Sequence, residues 1–181
     1  LPRTVRGVIK LMDAFGKDFI LVETVGVGQT ELDIMEASDT VVVALVPEAG
    51  DTVQTMKAGL MEIADIFVVN KADRDGANYL VAELMAMLRL YPKQTWWEVP
   101  VLATQATNNV GIDELYQKVA GHRQTLQETS HLIARRKEQR RKEFFQTVEQ
   151  KVTLRLLELI ETDGQLTAYL AIDNVRGYLI D

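Results

Sequence analysis

Two nearly unbroken apolar runs, Val41-Val42-Val43-Ala44-Leu45-Val46 and Phe67-Val68-Val69, constrain the fold of this chain more than any other feature. A strand that is apolar at every position has no polar face to offer water, so it suits a parallel sheet covered by helices on both sides. The first two-thirds of the chain alternate strand and helix patterns, as such a sheet requires. Strands are expected at 18–23, 40–46, 65–70 and 99–103, with helices near 30–37, 52–64, 77–90 and 112–126. Arg3 to Phe15 is helical in pattern, with Val5, Val8, Ile9 and Met12 on one face. The expected class is α/β: a mostly parallel, doubly wound sheet, incomplete, followed by a helical arm.

From Gly121 onward only helix signals remain, which places a boundary between a first unit, 1–120, and a helical tail, 121–181. Phe145, Val148, Val152, Leu156 and Leu159 recur at steps of three and four and form an apolar stripe that must pack on something. Before it come Arg135-Arg136-Lys137 and Arg140-Arg141-Lys142, interleaved with Glu138 and Glu143. A solvated helix face accounts for this cluster, and contact with an acidic partner surface is the alternative. Asp163-Gly164 breaks the helix, and Leu166 to Leu179 reads as a last helix folding back. Trp96 and Trp97, in the loop 91–98, read as packing anchors rather than as a stacking platform for bases.

The run at Phe67 ends in Asn70-Lys71-Ala72-Asp73, and this is where the chain names a ligand. An Asp carboxylate beside a base accepts two hydrogen bonds from guanine N1 and N2, and adenine has no such donor pair on that edge. A site built this way rejects the wrong base by roughly 10⁴ to 10⁵, because a mismatch leaves polar groups unpaired. Asp73 is assigned this role, Lys71 lays its aliphatic stem along the base, and Asn70 holds neighbouring loops by side-chain hydrogen bonds. The bland alternative is a helix-start turn with Asp73 as the cap.

Upstream, Phe19-Ile20-Leu21-Val22 runs into Glu23-Thr24-Val25-Gly26-Val27-Gly28-Gln29-Thr30. Glycines after a parallel strand let backbone N–H groups approach a phosphate, and a following helix adds its positive end. Glu23 suits Mg²⁺, a hard ion that keeps several waters and takes few carboxylates. Gly26 would sense the terminal phosphate, while Gln29 is either a catalytic contributor or a helix cap. A tight turn in any doubly wound sheet is the plainer reading of this loop. Downstream, Pro100 to Ala106 is a short strand ending in Gln105-Ala106; it resembles the loop by which GTPases offer a backbone N–H to guanine O6, and Ala106 is placed for that contact. Gln105 stands where serine is usual, and a contact made by backbone tolerates that departure.

Val22 to Gln29, Val-Glu-Thr-Val-Gly-Val-Gly-Gln, is more specific than Asn-Lys-x-Asp, and with it the chain resembles the ArgK/MeaB family of P-loop GTPases. Pro47-Glu48-Ala49-Gly50-Asp51, Gln54, Lys57-Ala58-Gly59 and Glu62-Ile63-Ala64-Asp65 extend the likeness, which covers residues 1 to 181. The family has Glu where most GTPases have Asp in the magnesium-side motif, and Glu23 fits that substitution. Bulk composition agrees with a cytoplasmic globular piece, and the resemblance implies a dimeric GTPase chaperone using GTP/GDP and Mg²⁺. Its partner would be methylmalonyl-CoA mutase or a related adenosylcobalamin-dependent mutase, whose cobalamin loading it gates, and its helical tail would be a dimerisation arm.

The Gly-x-x-x-x-Gly-Lys-Ser/Thr segment that wraps phosphates is missing from this sequence. Gly16-Lys17 does not supply it, since Leu11 stands five residues before Gly16, Asp18 follows Lys17, and a C-capping turn explains the pair. With no initiator Met at Leu1, the expectation is the carboxyl-terminal portion of a longer protein, or a truncated gene product. A nucleotide-independent dimeric scaffold for the mutase is therefore the competing reading, and a different guanine-nucleotide enzyme of the same architecture is the third. No kinase catalytic-loop signature occurs.

Composition narrows the remaining classes. At 47% hydrophobic and 25% charged, 181 residues can bury one sizeable core. Cysteine is absent, which excludes disulfides, and with only His122 and His131, each read as an exposed helix residue, a transition-metal site is not expected. A net charge of −6 argues against nucleic acid as a general partner, and no apolar run approaches the roughly 18 residues of a membrane-spanning helix.

Overall fold

The computed structural model describes residues 3–24, 37–47, 59–90 and 96–162. In chain order these hold α1 (Arg3–Ala14), β1 (Val42–Leu45), α2 (Gly59–Ile63), β2 (Ile66–Asn70), α3 (Ala77–Leu90), β3 (Val101–Thr104), a 3₁₀ turn (Ala106–Asn108), α4 (Ile112–Glu128) and α5 (His131–Thr162). The strands form one parallel sheet in the order β1-β2-β3, with Val43 beside Phe67 and Phe67 beside Val101. The fold is α/β, and the strands expected at 40–46, 65–70 and 99–103 are all present. The expected helix at 30–37 lies almost wholly outside the described residues, as do the first part of 52–64 and the last helix, 166–179.

β2 is the centre of the sheet, with Ile66 to Val69 all buried. Side chains alternate faces along a strand, so Phe67 and Val69 join Val43, Leu45 and Val101 against Leu80 and Leu84 of α3. Ile66 and Val68 turn the other way and meet Leu102, Trp97 and, from α4, Leu115 and Val119. α3 and α4 thus cover opposite faces of the same strand, which is the doubly wound arrangement in miniature.

Two expectations change. The run Val41–Val46 is covered on one face only: Val43 and Leu45 are buried, whereas Val42 is 40% exposed and Ala44 is open as well. Val42 shares the face of Ile66, and the cover on that face comes from α4 and Trp97 over β2 and β3, so it stops short of β1. The strand expected at 18–23 does not form. Among the described residues no strand pairs with this segment; Leu21 is 95% exposed. Phe19 rests instead on α4, with its ring 6.2 Å from Tyr116 and the Arg123 guanidinium 5.6 Å above it. An apolar run without a neighbour to bond has no ladder to hold it extended.

α1 closes with Gly16 at φ 73°, where the Gly16 N–H donates to Asp13 O and the Lys17 N–H to Met12 O, so Gly16-Lys17 is a helix C-cap of the Schellman type. α5 is a continuous helix of 32 residues, about 48 Å long. Phe145, Val148, Val152, Leu156 and Leu159 are exposed along it. Internal contacts divide the chain into Leu1–Arg136 and Lys137–Asp181, and the boundary expected between 120 and 121 falls inside α4. No helix among the described residues is long and apolar enough to cross a membrane.

His122 is a further correction. It is fully buried, not exposed, with Nδ1 2.9 Å from Thr40 Oγ1 and its ring against Trp96 and Trp97. His131 is exposed and stacks on Trp96. Both tryptophans pack, and Trp97 Nε1 also donates to the Asp65 carbonyl at 2.8 Å.

Candidate nucleotide-binding site

β2 and β3 are adjacent and parallel, so the loops at their carboxyl ends emerge side by side, the usual position of a ligand crevice in such sheets. At the end of β2, Asn70 aims its amide across to the neighbouring loop. Its Oδ1 accepts the Thr104 Oγ1 hydroxyl at 3.2 Å and the Ala106 N–H at 3.1 Å. The chain then turns through Lys71, a left-handed residue at φ 57°, and the Ala72 N–H donates to the Thr104 carbonyl at 2.9 Å. Three hydrogen bonds therefore strap Asn70-Lys71-Ala72 to Thr104-Gln105-Ala106.

Asp73 is exposed and makes no side-chain hydrogen bond among the described residues. It does not cap α3, which begins four residues later at Ala77 behind Gly76 at φ 87°. The carboxylate is thus left open to an incoming donor.

The second loop is closed on itself. Gln105 and Val110 exchange two backbone bonds, Gln105 N–H to Val110 O at 3.0 Å and Val110 N–H to Gln105 O at 3.2 Å. Between them run the 3₁₀ turn and Asn109, left-handed at φ 55°. The Asn108 Nδ2 donates to Gln105 Oε1 at 3.0 Å, which fixes the side chain standing in the serine position. Gly111 at φ 75° ends the loop against β3, where a Cβ would lie 2.5 Å from the Ala103 carbonyl oxygen and 3.2 Å from Thr104 Cγ2. Only glycine fits both the conformation and the space.

The structure brings together Asn70, Lys71, Asp73, Gln105 and Ala106. Glu23 is exposed and makes no side-chain hydrogen bond or ion pair with these or any other described residues. Gly26 and Gln29 lie outside the described residues. Ala106, assigned by its sequence position to a base oxygen, here gives its N–H to Asn70. No group of three or more His, Asp or Glu side chains among the described residues could hold a metal. Glu23 alone, exposed and uncommitted, fits an ion such as Mg²⁺ that keeps its waters and binds through one carboxylate. Sequence reasoning missed Thr104 and Gly111. A glycine just before a helix was the available signal for the second, and a threonine closing a buried strand gave none for the first.

Residues 1–161 match the protein family described as Methylmalonyl Co-A mutase-associated GTPase MeaB. A relative from Pyrococcus horikoshii is 48% identical over 141 residues, covering 76% of this chain and 44% of its own length. GTPase ArgK of Escherichia coli is 35% identical over 138 residues, covering 74% of this chain and 42% of that protein. The chain therefore spans less than half the length of these curated relatives. A crystal structure described as LAO/AO transport system kinase superposes with a TM-score of 0.77 at 28% identity, over 95% of this chain and 57% of that one.

Proposed function

Because the chain belongs to the MeaB family of methylmalonyl-CoA mutase-associated GTPases, we propose that it carries the guanine-recognition half of a GTPase whose nucleotide state sets its grip on that mutase. One observation carries the reading: two strapped loops at the ends of β2 and β3 with Asp73 left uncommitted beside them. Asp73 accepts guanine N1 and N2 donors, Lys71 lines the base, and Ala106 shares its N–H between Asn70 and guanine O6. The Gln105 and Asn108 side chains keep that loop in shape before ligand arrives.

On the phosphate side, Glu23 faces the nucleotide's Mg²⁺, whose bound charge would neutralise the phosphate oxygens. Gly26 senses the terminal phosphate and Gln29 orients water. Hydrolysis of this kind needs positioning and charge stabilisation rather than covalent help. Contact of Val25 to Thr30 with the terminal phosphate, lost after hydrolysis, would bias the partner surface and so gate cobalamin loading. The arm brings two copies into a homodimer, and the protein works in the cytoplasm.

The test is a titration of this chain with fluorescent GDP in Mg²⁺, alongside an ADP analogue and Asp73→Asn. Guanine-selective binding lost in the variant supports the reading. Equal binding of both bases by a chain that circular dichroism shows to be folded overturns it. A second reading, a scaffold that grips the mutase without nucleotide, is favoured by the exposed stripe on α5. Co-sedimentation with the mutase that is indifferent to GTP, GDP and chelator would support the scaffold instead.

A further inference from the structure

Asp65 stands immediately before β2, at the end of the strand opposite Asn70, and it is a carboxylate only 1% exposed. Burial of a charge is costly unless every lone pair finds a donor. Here Oδ2 accepts the Val41 N–H at 2.9 Å and Arg135 Nη1 at 3.1 Å, and Oδ1 accepts Arg135 Nη2 at 3.2 Å. His122 Nε2 lies 3.6 Å from Oδ1. Arg135 comes from α5, seventy positions away in sequence, and its Nη1 also donates to the Asp39 carbonyl. The next residue, Arg136, forks onto the Asp39 carboxylate, Nε to Oδ1 at 3.0 Å and Nη2 to Oδ2 at 2.6 Å. The hydrogen bond to Asp39, helped by the charges of Asp39 and Asp13, raises the Arg136 pKa against the opposing effect of burial.

Apolar burial at this junction is slight, with Leu132 only half-buried. Among the described residues neither core cluster draws a side chain from α5, and Ile133 in its first turn is exposed. The first turns of α5 are fastened by two guanidinium forks and by the stack of His131 on Trp96, 4.5 Å between centroids. A buried ion pair adds little net stability compared with apolar groups of the same volume, but it specifies one arrangement, and losing one partner strands the other. A helix root held with little apolar burial opens locally at lower cost than a packed apolar core does.

We infer that Arg135 on Asp65, seconded by Arg136 on Asp39, is a releasable clamp that holds the root of α5 to the base of the strand carrying the guanine loop. Its opening frees residues 131–136 while the sheet and its loops stay folded. The basic cluster before the stripe is thus neither a plain solvated face nor an acidic-partner patch at Arg135 and Arg136. Any use of this opening in partner contact rests on the function proposed above, whereas the test needs neither nucleotide nor partner.

The test is hydrogen exchange on this chain and on Arg135→Met, comparing amides of 131–136 with those of Phe67 to Val69. The clamp requires exchange at 131–136 to rise about tenfold or more while β2 amides stay within about twofold. Unchanged exchange at 131–136 overturns it, because something else then holds the root. A parallel rise in β2 also overturns it, because the pair is then a support of the whole core. Should Arg135→Met fail to fold, Arg135→Lys, which keeps the charge but not the fork, is read by the same outcomes; failure of both shows a contact that cannot be released.

Discussion

The amide oxygen of Asn70 accepts the backbone N–H of Ala106 at 3.1 Å, so the residue that opens Asn70-Lys71-Ala72-Asp73 also fixes the loop on the next strand. The same oxygen takes the hydroxyl of Thr104, which is 1% exposed and has nowhere else to turn for water. Asn70→Ala removes both bonds, at about 1 kcal/mol each net. It is expected to lower stability by about 1–2 kcal/mol in urea unfolding. In the same variant GDP binding should weaken about tenfold or more, because the Ala106 loop is no longer held in place. Full retention of GDP affinity would show that the two loops act independently.

Asp73 gives a contrasting expectation. It is exposed and its side chain makes no hydrogen bond among the described residues, so Asp73→Asn leaves the melting temperature where it was. The amide loses one acceptor and turns a donor toward guanine N–H groups. Two charge-assisted bonds are at stake, which puts the loss of GDP affinity at roughly ten- to a hundredfold with little change for ADP. Isothermal calorimetry on the wild type and the variant decides it, and an equal loss for both nucleotides would remove Asp73 from base recognition.

Legibility in the sequence follows the same physics. β2 and β3 were readable because unbroken apolar runs ending in turn residues have few ways to fold, and α3 because its two ends are marked by loop chemistry. The strand expected at 18–23 failed since an apolar run signals a strand only when a neighbour is there to bond it; Leu21 has none among the described residues. His122 was misjudged for a related reason. A histidine on an amphipathic helix is read by its own neighbours, while its burial here comes from Thr40, Asp65 and two tryptophans distant in sequence. The Asn70 motif was legible as residue types, but its strap to Thr104 was not, since that pairing exists only across two strands.

Gly111→Ala tests how rigid the second loop is. The new methyl would meet the Ala103 carbonyl oxygen at 2.5 Å, a backbone atom that cannot step aside, in a residue already at φ 75°. The expected cost is about 2 kcal/mol or more, or a fall of about 4–8 °C in melting temperature for a chain of this size. A shift under about 1 °C would mean the loop re-forms without its bridge, and calorimetric melting measures it directly.

Arg136→Ala separates the outer fork from the buried one. Arg136 and Asp39 are both partly open to water, at 52% and 38% of their side-chain surface. Such pairs contribute about 0.2–1 kcal/mol and are screened by salt. The variant is expected to unfold within about 1 kcal/mol of the wild type in low salt, and closer still in 1 M salt. A larger, salt-independent loss would place Arg136 with Arg135 in the buried network.

The stripe on α5 makes the last prediction. Phe145, Val148, Val152, Leu156 and Leu159 follow helical steps and stay exposed, so one face of a long helix faces water with no cover among the described residues. Burying a Leu or Val side chain fully is worth about 1.5–3 kcal/mol, so five such positions supply ample drive for association even after the cost of ordering two chains. The expected result is self-association in sedimentation equilibrium, lost in Leu156→Glu because a carboxylate at the centre of the face would have to be buried unpaired. Glu at an exposed position leaves the helix itself intact, so circular dichroism should not change. If the wild-type chain sediments as a monomer at tens of micromolar, the arm is not a dimer interface by itself, and its apolar face is covered by something other than a second copy.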